Sequence, residues 1–246
     1  MKFENLVRLF VLSAVLLGGL VGCSSSDDDE VFAPVTQVLN GTFVTTGGAT
    51  GTIELMRVSP ATSSAGNFMA AVVDVMGSVT PAGGTATDIT GTIDEEAGFF
   101  MASGGGYNLN GFFDEGLLAG GISTPGGGGG VFGALGSNSG MAQTFCGDWI
   151  ENGAGTPGGL FSLTVQGNSA VAIVVDFADV DAFVLSNNSV SGNSVTLAAF
   201  PEQDIPLQAT GTLSGASVSG TWTSSDGIGT TSGTFQGTAQ ACTLGA

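Results

Sequence analysis

The chain has 246 residues, 43 of them Gly and none His, and a formal net charge of −18. With 21 acids against three cations it repels phosphate backbones, which excludes nucleic acid as a partner. A hydrophobic content of 42% supplies a core for one large β domain or two small ones, and the glycines follow no Gly-X-Y period, which excludes collagen.

The N-terminus comes first. Met1–Arg8 is a short basic stretch, and Leu9–Val21 is apolar but too short for the roughly 18 residues that a membrane span needs. It runs into Leu20-Val21-Gly22-Cys23, which resembles the lipobox of bacterial lipoprotein signal peptides. That resemblance covers residues 1–23. It implies that residues 1–22 are a signal peptide, and that Cys23 receives a diacylglycerol thioether, becomes the new N-terminus and is then acylated. An ordinary secretory signal with a chance cysteine is the alternative. Two or three acyl chains anchor firmly, since each buried CH₂ contributes about 0.8 kcal/mol.

Residues 23–37 follow as an acidic tether. Ser24–Glu30 holds no apolar residue, and it should be extended and solvated. Ser24 directly after the cysteine fits outer-membrane sorting, as lipoproteins of this type imply. Ser26-Asp27-Asp28-Asp29-Glu30 is also similar to the acidic surface-export tracts of some bacterial lipoproteins. The expected address is the bacterial cell envelope, most simply its outer membrane, with the membrane itself as one partner. All but one of the acids (Glu4) and only one cation (Arg57) lie beyond Cys23.

The remainder reads as β structure in two halves that echo each other: a first domain over 38–136 and a second over 145–243. The small-residue stretch 135–144 lies between them. "LNGTFVTTGGATGTIELMRV" (39–58) parallels "FCGDWIENGAGTPGGLFSLTV" (145–165), and "NFMAAVVDVMGSV" (67–79) parallels "NSAVAIVVDFADV" (168–180). Gly-punctuated hairpins close both halves, over 108–135 and 211–239.

Strands alternate with period two. Phe161, Leu163 and Val165 share one face, as do Val218, Gly220 and Trp222, and on 169–177 the inward set is expected to be Val171, Ile173, Val175 and Phe177. Turn signals such as Gly167-Asn168 and Gly192-Asn193 separate the strands at hairpin intervals. No helical period intervenes, so the expected class is all-β. Its antiparallel up-and-down meanders would form two tandem small barrels or twisted sandwiches, with one continuous two-sheet sandwich as the alternative. Glycines at inward positions suit a small, tightly curved barrel. The rhythm Gly-Thr-Trp, strand, Gly-Thr-x-x-Gly looks like that of avidin or lipocalin barrels, without carrying over a ligand site.

With Cys23 assigned to lipid, Cys146 and Cys242 remain as an even pair in an oxidising compartment, where a disulfide closing a loop of order 100 residues contributes up to about 4–5 kcal/mol. Two free thiols or a metal pair are the alternatives. No His and no CxxC spacing supports zinc.

Catalytic chemistry is thinly supplied. The absence of His removes Ser-His-Asp and Cys-His machinery, and the only Lys, Lys2, lies in the signal. Gly128–Gly133 formally matches GxGxxG but has no βαβ context, and a flexible loop is expected there. Gly83–Asp88 resembles one turn of a calcium-binding nonapeptide repeat, without the neighbouring repeats such sites need.

Asp176, Asp179 and Asp181 cluster at a strand end and could hold calcium weakly; solvated turn acids are the plainer expectation. Asp94-Glu95-Glu96 and Asp114-Glu115 read as hairpin-tip charges. Trp149 and Trp222 suit core packing. The expected function is a non-enzymatic envelope lipoprotein, with no cofactor, that binds a small ligand or an envelope protein. A structural component of an outer-membrane assembly is the alternative, and a carboxylate-dependent hydrolase a third.

Overall fold

The computed structural model describes residues 35–59, 72–114, 116–137, 141–176, 182–187, 189–199, 206–225, 229–239 and Cys242. The described chain is all-β and forms two closed antiparallel barrels. In the first, β1 (Val35–Thr45), β2 (Thr50–Ser59), β3 (Val72–Pro81), β4 (Thr87–Asp94), β5 (Phe99–Gly104), β6 (Tyr107–Asp114), β7 (Leu117–Ser123) and β8 (Gly129–Ser137) pair in chain order, and β1 closes on β8.

In the second, β9 (Gln143–Glu151), β10 (Gly159–Gln166), β11 (Ser169–Asp176) and β12 (Ala182–Asn187) meander on one side. The other side is β14 (Ser194–Ala199), β15 (Gln208–Ser214), β16 (Ser217–Ser225) and β17 (Thr230–Thr238). Pairing of β17 with β9 and of β12 with β14 (Leu185 opposite Ala199) closes the ring. The two-residue β13 (Val190–Ser191) is a ribbon on β14. Two separate barrels form, and not the single sandwich.

The first barrel is filled. Each strand turns one apolar row inward, and Leu39, Ile53, Leu55, Ile93, Phe100 and Phe132 are among the side chains it buries completely. Phe100 meets Phe132 edge to face, with centroids 5.8 Å apart. The ring is narrow because neighbouring backbones cross directly over inward glycines. A Cβ on Gly41 would stand 2.0 Å from the Gly133 carbonyl oxygen, and one on Gly91 would stand 1.9 Å from that of Met101.

Both ends of this barrel are stoppered. Phe43 and Tyr107 meet edge to face at one end. At the other, Arg57 points inward in line with Ile53 and Leu55. It donates to Gln37 Oε1 (3.0 Å), pairs with Glu95 and lies 5.1 Å from the Phe113 ring centroid. Glu95 therefore does more than keep a hairpin tip soluble.

The barrels pack against each other within one compact unit. Val44 and Val131 of the first meet Leu160, Ile173 and Val175 of the second, and Ala119 and Leu135 meet Val171 and Val184. Gly133 admits this approach, since a Cβ there would be 2.8 Å from Val171 Cγ2. This interface corrects the expected facing of β11. Ala170, Ala172 and Val174 face the barrel interior, while Val171, Ile173 and Val175 face the first barrel; Phe177 lies outside the described residues. Strand β10 is buried along its whole length, so Ser162 and Thr164, polar and outward, are covered by the neighbouring barrel. Strand β11, covered on both faces and apolar on both, offers no polar side to mark its orientation.

Candidate functional site

The second barrel is hollow at one end. A cavity of about 390 Å³ opens where β9, β11, β14 and β16 finish and β10, β12, β15 and β17 begin. That volume falls in the lower part of the roughly 300–1,000 Å³ range typical of small-molecule sites. Its depth is apolar: Phe161 and Phe235 meet edge to face at 5.1 Å, with Leu163 and Leu185 beside them.

The room comes from small inward residues. Ala172 and Ala209 stand on the third and sixth strands of this ring, where the first barrel has Val75 and Leu109 on its third and sixth.

Trp149 and Trp222 both line the cavity, 5.3 Å apart at 84°. Each indole lies across the glycine opposite it on the next strand. A Cβ on Gly159 would be 2.5 Å from Trp149 Nε1, and one on Gly233 would be 2.5 Å from Trp222 Nε1. Trp149 Nε1 reaches over Gly159 to donate to the Val175 carbonyl (3.0 Å). Trp222 Nε1 is buried with no acceptor among the described residues. The tryptophans pack against the second barrel's core, as expected, and as half-buried side chains they also wall its opening.

Among the described residues the polar lining consists of Glu151, Asp176, Ser224 and Thr231. Of the acids proposed for calcium, Asp176 is thus part of the cavity wall, while Asp179 and Asp181 lie outside the described residues. Among the described residues no three His, Cys, Asp or Glu side chains group as metal ligands. Cys23 also lies outside the described residues.

Cys146 and Cys242 form a disulfide across a sequence separation of 96. Cys146 lies opposite Ser162 on β10 and Thr238 on β17, on the same strand as Trp149 and Glu151, so the bridge ties the segment after β17 to β9. The glycine-rich motif at 128–133 is no loop: from Gly129 it is β8, and Thr124–Gly128 is an ordinary hairpin turn. Gly83–Asp88 likewise forms the β3–β4 turn and the start of β4.

The class so defined is a pair of eight-stranded up-and-down β-barrels, one filled and one with an open mouth. No family model and no curated protein matches the chain. Among solved structures it is similar to the isotype 1 transferrin-binding protein B of serogroup B Neisseria meningitidis. The identity is 8% and the TM-score 0.32, over 84% of this chain and 76% of that one.

Proposed function

We propose that this is a non-enzymatic bacterial envelope lipoprotein, anchored to the outer membrane through lipid on Cys23, whose second barrel binds a small ligand with an apolar body. The cavity at the β9–β16 mouth carries the ligand reading: an apolar depth with four polar groups at its wall is the usual composition of such a site. The absence of His, and of any Lys beyond Lys2, supports a binding role over catalysis.

The two tryptophans are the only ones in the chain and both line the cavity, so intrinsic fluorescence reports on the site directly. An apolar ligand should shift that emission saturably, at one molecule per chain. Ala172→Leu should abolish the response while circular dichroism stays unchanged. An unaltered response in that variant would overturn the proposal. For the anchor, Cys23→Ser should release the protein from membranes and remove the acyl mass.

A second reading is favoured by the outer face of the first barrel. Val38, Met56 and Met76 lie side by side in register, and Phe99 lies opposite Phe112. Phe99 and Met101 are each 65% exposed. Glu54, Asp74 and Asp114 point outward on the same strands. Such a face fits a protein partner with an apolar centre and a basic rim. A photo-crosslinker at Met101 should yield one adduct in intact cells, lost on charge reversal at Glu54 and Asp74. An adduct indifferent to those charges would overturn this reading.

A further inference from the structure

We infer that the ligand of the second barrel carries a cationic end, an amine or quaternary ammonium, on its apolar body. This rests on the proposal that the cavity is a ligand site and specifies the chemistry it accepts.

The first ground is an inventory of charge. Lys2 and Arg8 precede Cys23, and the remaining cation, Arg57, is held in the first barrel by Gln37, Glu95 and the Phe113 ring. Beyond Cys23 the chain therefore has no basic side chain to meet a carboxylate, sulfate or phosphate at the cavity mouth. Recognition of an anion in a partly desolvated site requires such a partner or a convergent set of N–H donors.

The second ground is what the mouth does present. Glu151 and Asp176 both line the cavity, so an anionic headgroup would sit beside two acids of its own sign, and a cationic one beside two of opposite sign. The third is the pair of indoles. Trp149 and Trp222 line the same opening, and tryptophan is the aromatic side chain that attracts a cation most strongly through its ring face. Apolar depth, acids at the wall and tryptophan together define a receptor for an amphiphile whose tail enters the barrel and whose charge stays at the mouth.

The test uses residues 24–246, which contain the whole compact unit without the signal and the lipid-bearing cysteine. Three probes share one tail: decyltrimethylammonium, decyl maltoside and decyl sulfate, each below its micellar concentration. Binding is read by tryptophan fluorescence and calorimetry. The ammonium should bind at one per chain, about tenfold tighter than the maltoside, with the sulfate weakest. Glu151→Gln, alone and with Asp176→Asn, should lower the affinity for the ammonium towards that for the maltoside and so erase the preference for the cation. Asp88→Asn with Glu96→Gln, an equal change in net charge on the first barrel, should leave the preference intact. Equal affinities for ammonium and maltoside, a tighter sulfate, or a preference that the first-barrel variant also erases would overturn the inference and leave the cavity a ligand site. No binding by any of the three would overturn the ligand-site proposal itself.

Discussion

The two barrels follow one strand plan and differ in what fills them. In both, the first strand pairs with the last and every neighbour is a hairpin or a closing contact. Yet the first buries Phe100 and Phe132 at its centre and is stoppered by Phe43 and Tyr107 at one end and Arg57 at the other, whereas the second keeps about 390 Å³ open behind Trp149 and Trp222. Topology therefore does not decide whether a small barrel is a solid body or a receptor. The volumes of the inward side chains do.

The largest effect should come from the glycines that let the first barrel close. Gly91→Val places side-chain atoms where the Met101 carbonyl stands, and backbone cannot retreat as a flexible side chain can. We expect a loss of more than about 3 kcal/mol, seen as failure to fold or a collapsed denaturation midpoint. Gly126→Ala in the β7–β8 turn, where a Cβ would meet nothing within 4 Å, should be nearly silent. If both variants behave alike, close backbone approach is not what shapes this barrel.

Next in size is the bridge. Replacing Cys146 and Cys242 by Ala should cost about 2–5 kcal/mol by denaturant titration, because it frees a loop of 96 residues in the unfolded chain. The comparison sharpens if native-state hydrogen exchange rises mainly in β9 and β17, the strands beside the bridge, while β3–β6 stay protected.

The local features of this fold are legible in the sequence because they are short-range. Period-two alternation and turns such as Gly167-Asn168 mark the strands, and the correspondence of 39–58 with 145–165 reflects matching hairpins, β1–β2 and β9–β10. The pairing of Cys146 with Cys242 is the one that parity leaves once Cys23 is read as the lipid site. The cavity was not legible, for two physical reasons. Strand β11 is apolar on both faces, so "SAVAIVVD" cannot reveal that its alanines face inward and its branched residues the other barrel. Hollowness is also a sum around a closed ring, to which no single strand holds the key. Glu151 carries no local mark for the same reason: only ring closure brings it to the cavity that Asp176 also lines.

A matched pair of substitutions tests the contrast between solid and hollow at smaller scale. Ala102→Leu adds bulk to the filled barrel, where Ala102 already lies against Gly91, and should cost about 1–3 kcal/mol. Ala172→Leu adds the same atoms beside an open volume and should cost less than about 1 kcal/mol. Reversal of that order would mean that the second barrel closes on itself in solution.

The smallest effect should come from the stopper at the other end of the first barrel. Burial holds the Arg57 guanidinium below its ordinary pKa, yet arginine stays charged at any pH the fold survives, so no pH window follows from it. Its side chain and that of Glu95 are half-buried, at 18% and 29% exposure, so solvent still screens the pair and its net contribution is small. Arg57→Met keeps the aliphatic bulk against Phe113 while removing the charge, and it should cost about 1 kcal/mol or less. The difference between variant and wild type should shrink further at high salt, where the pair is screened. A loss above about 3 kcal/mol, insensitive to salt, would instead make Arg57 a structural keystone. The first barrel would then owe its solidity to one polar plug as much as to its core, and the contrast with the open second barrel would rest on how each end is sealed.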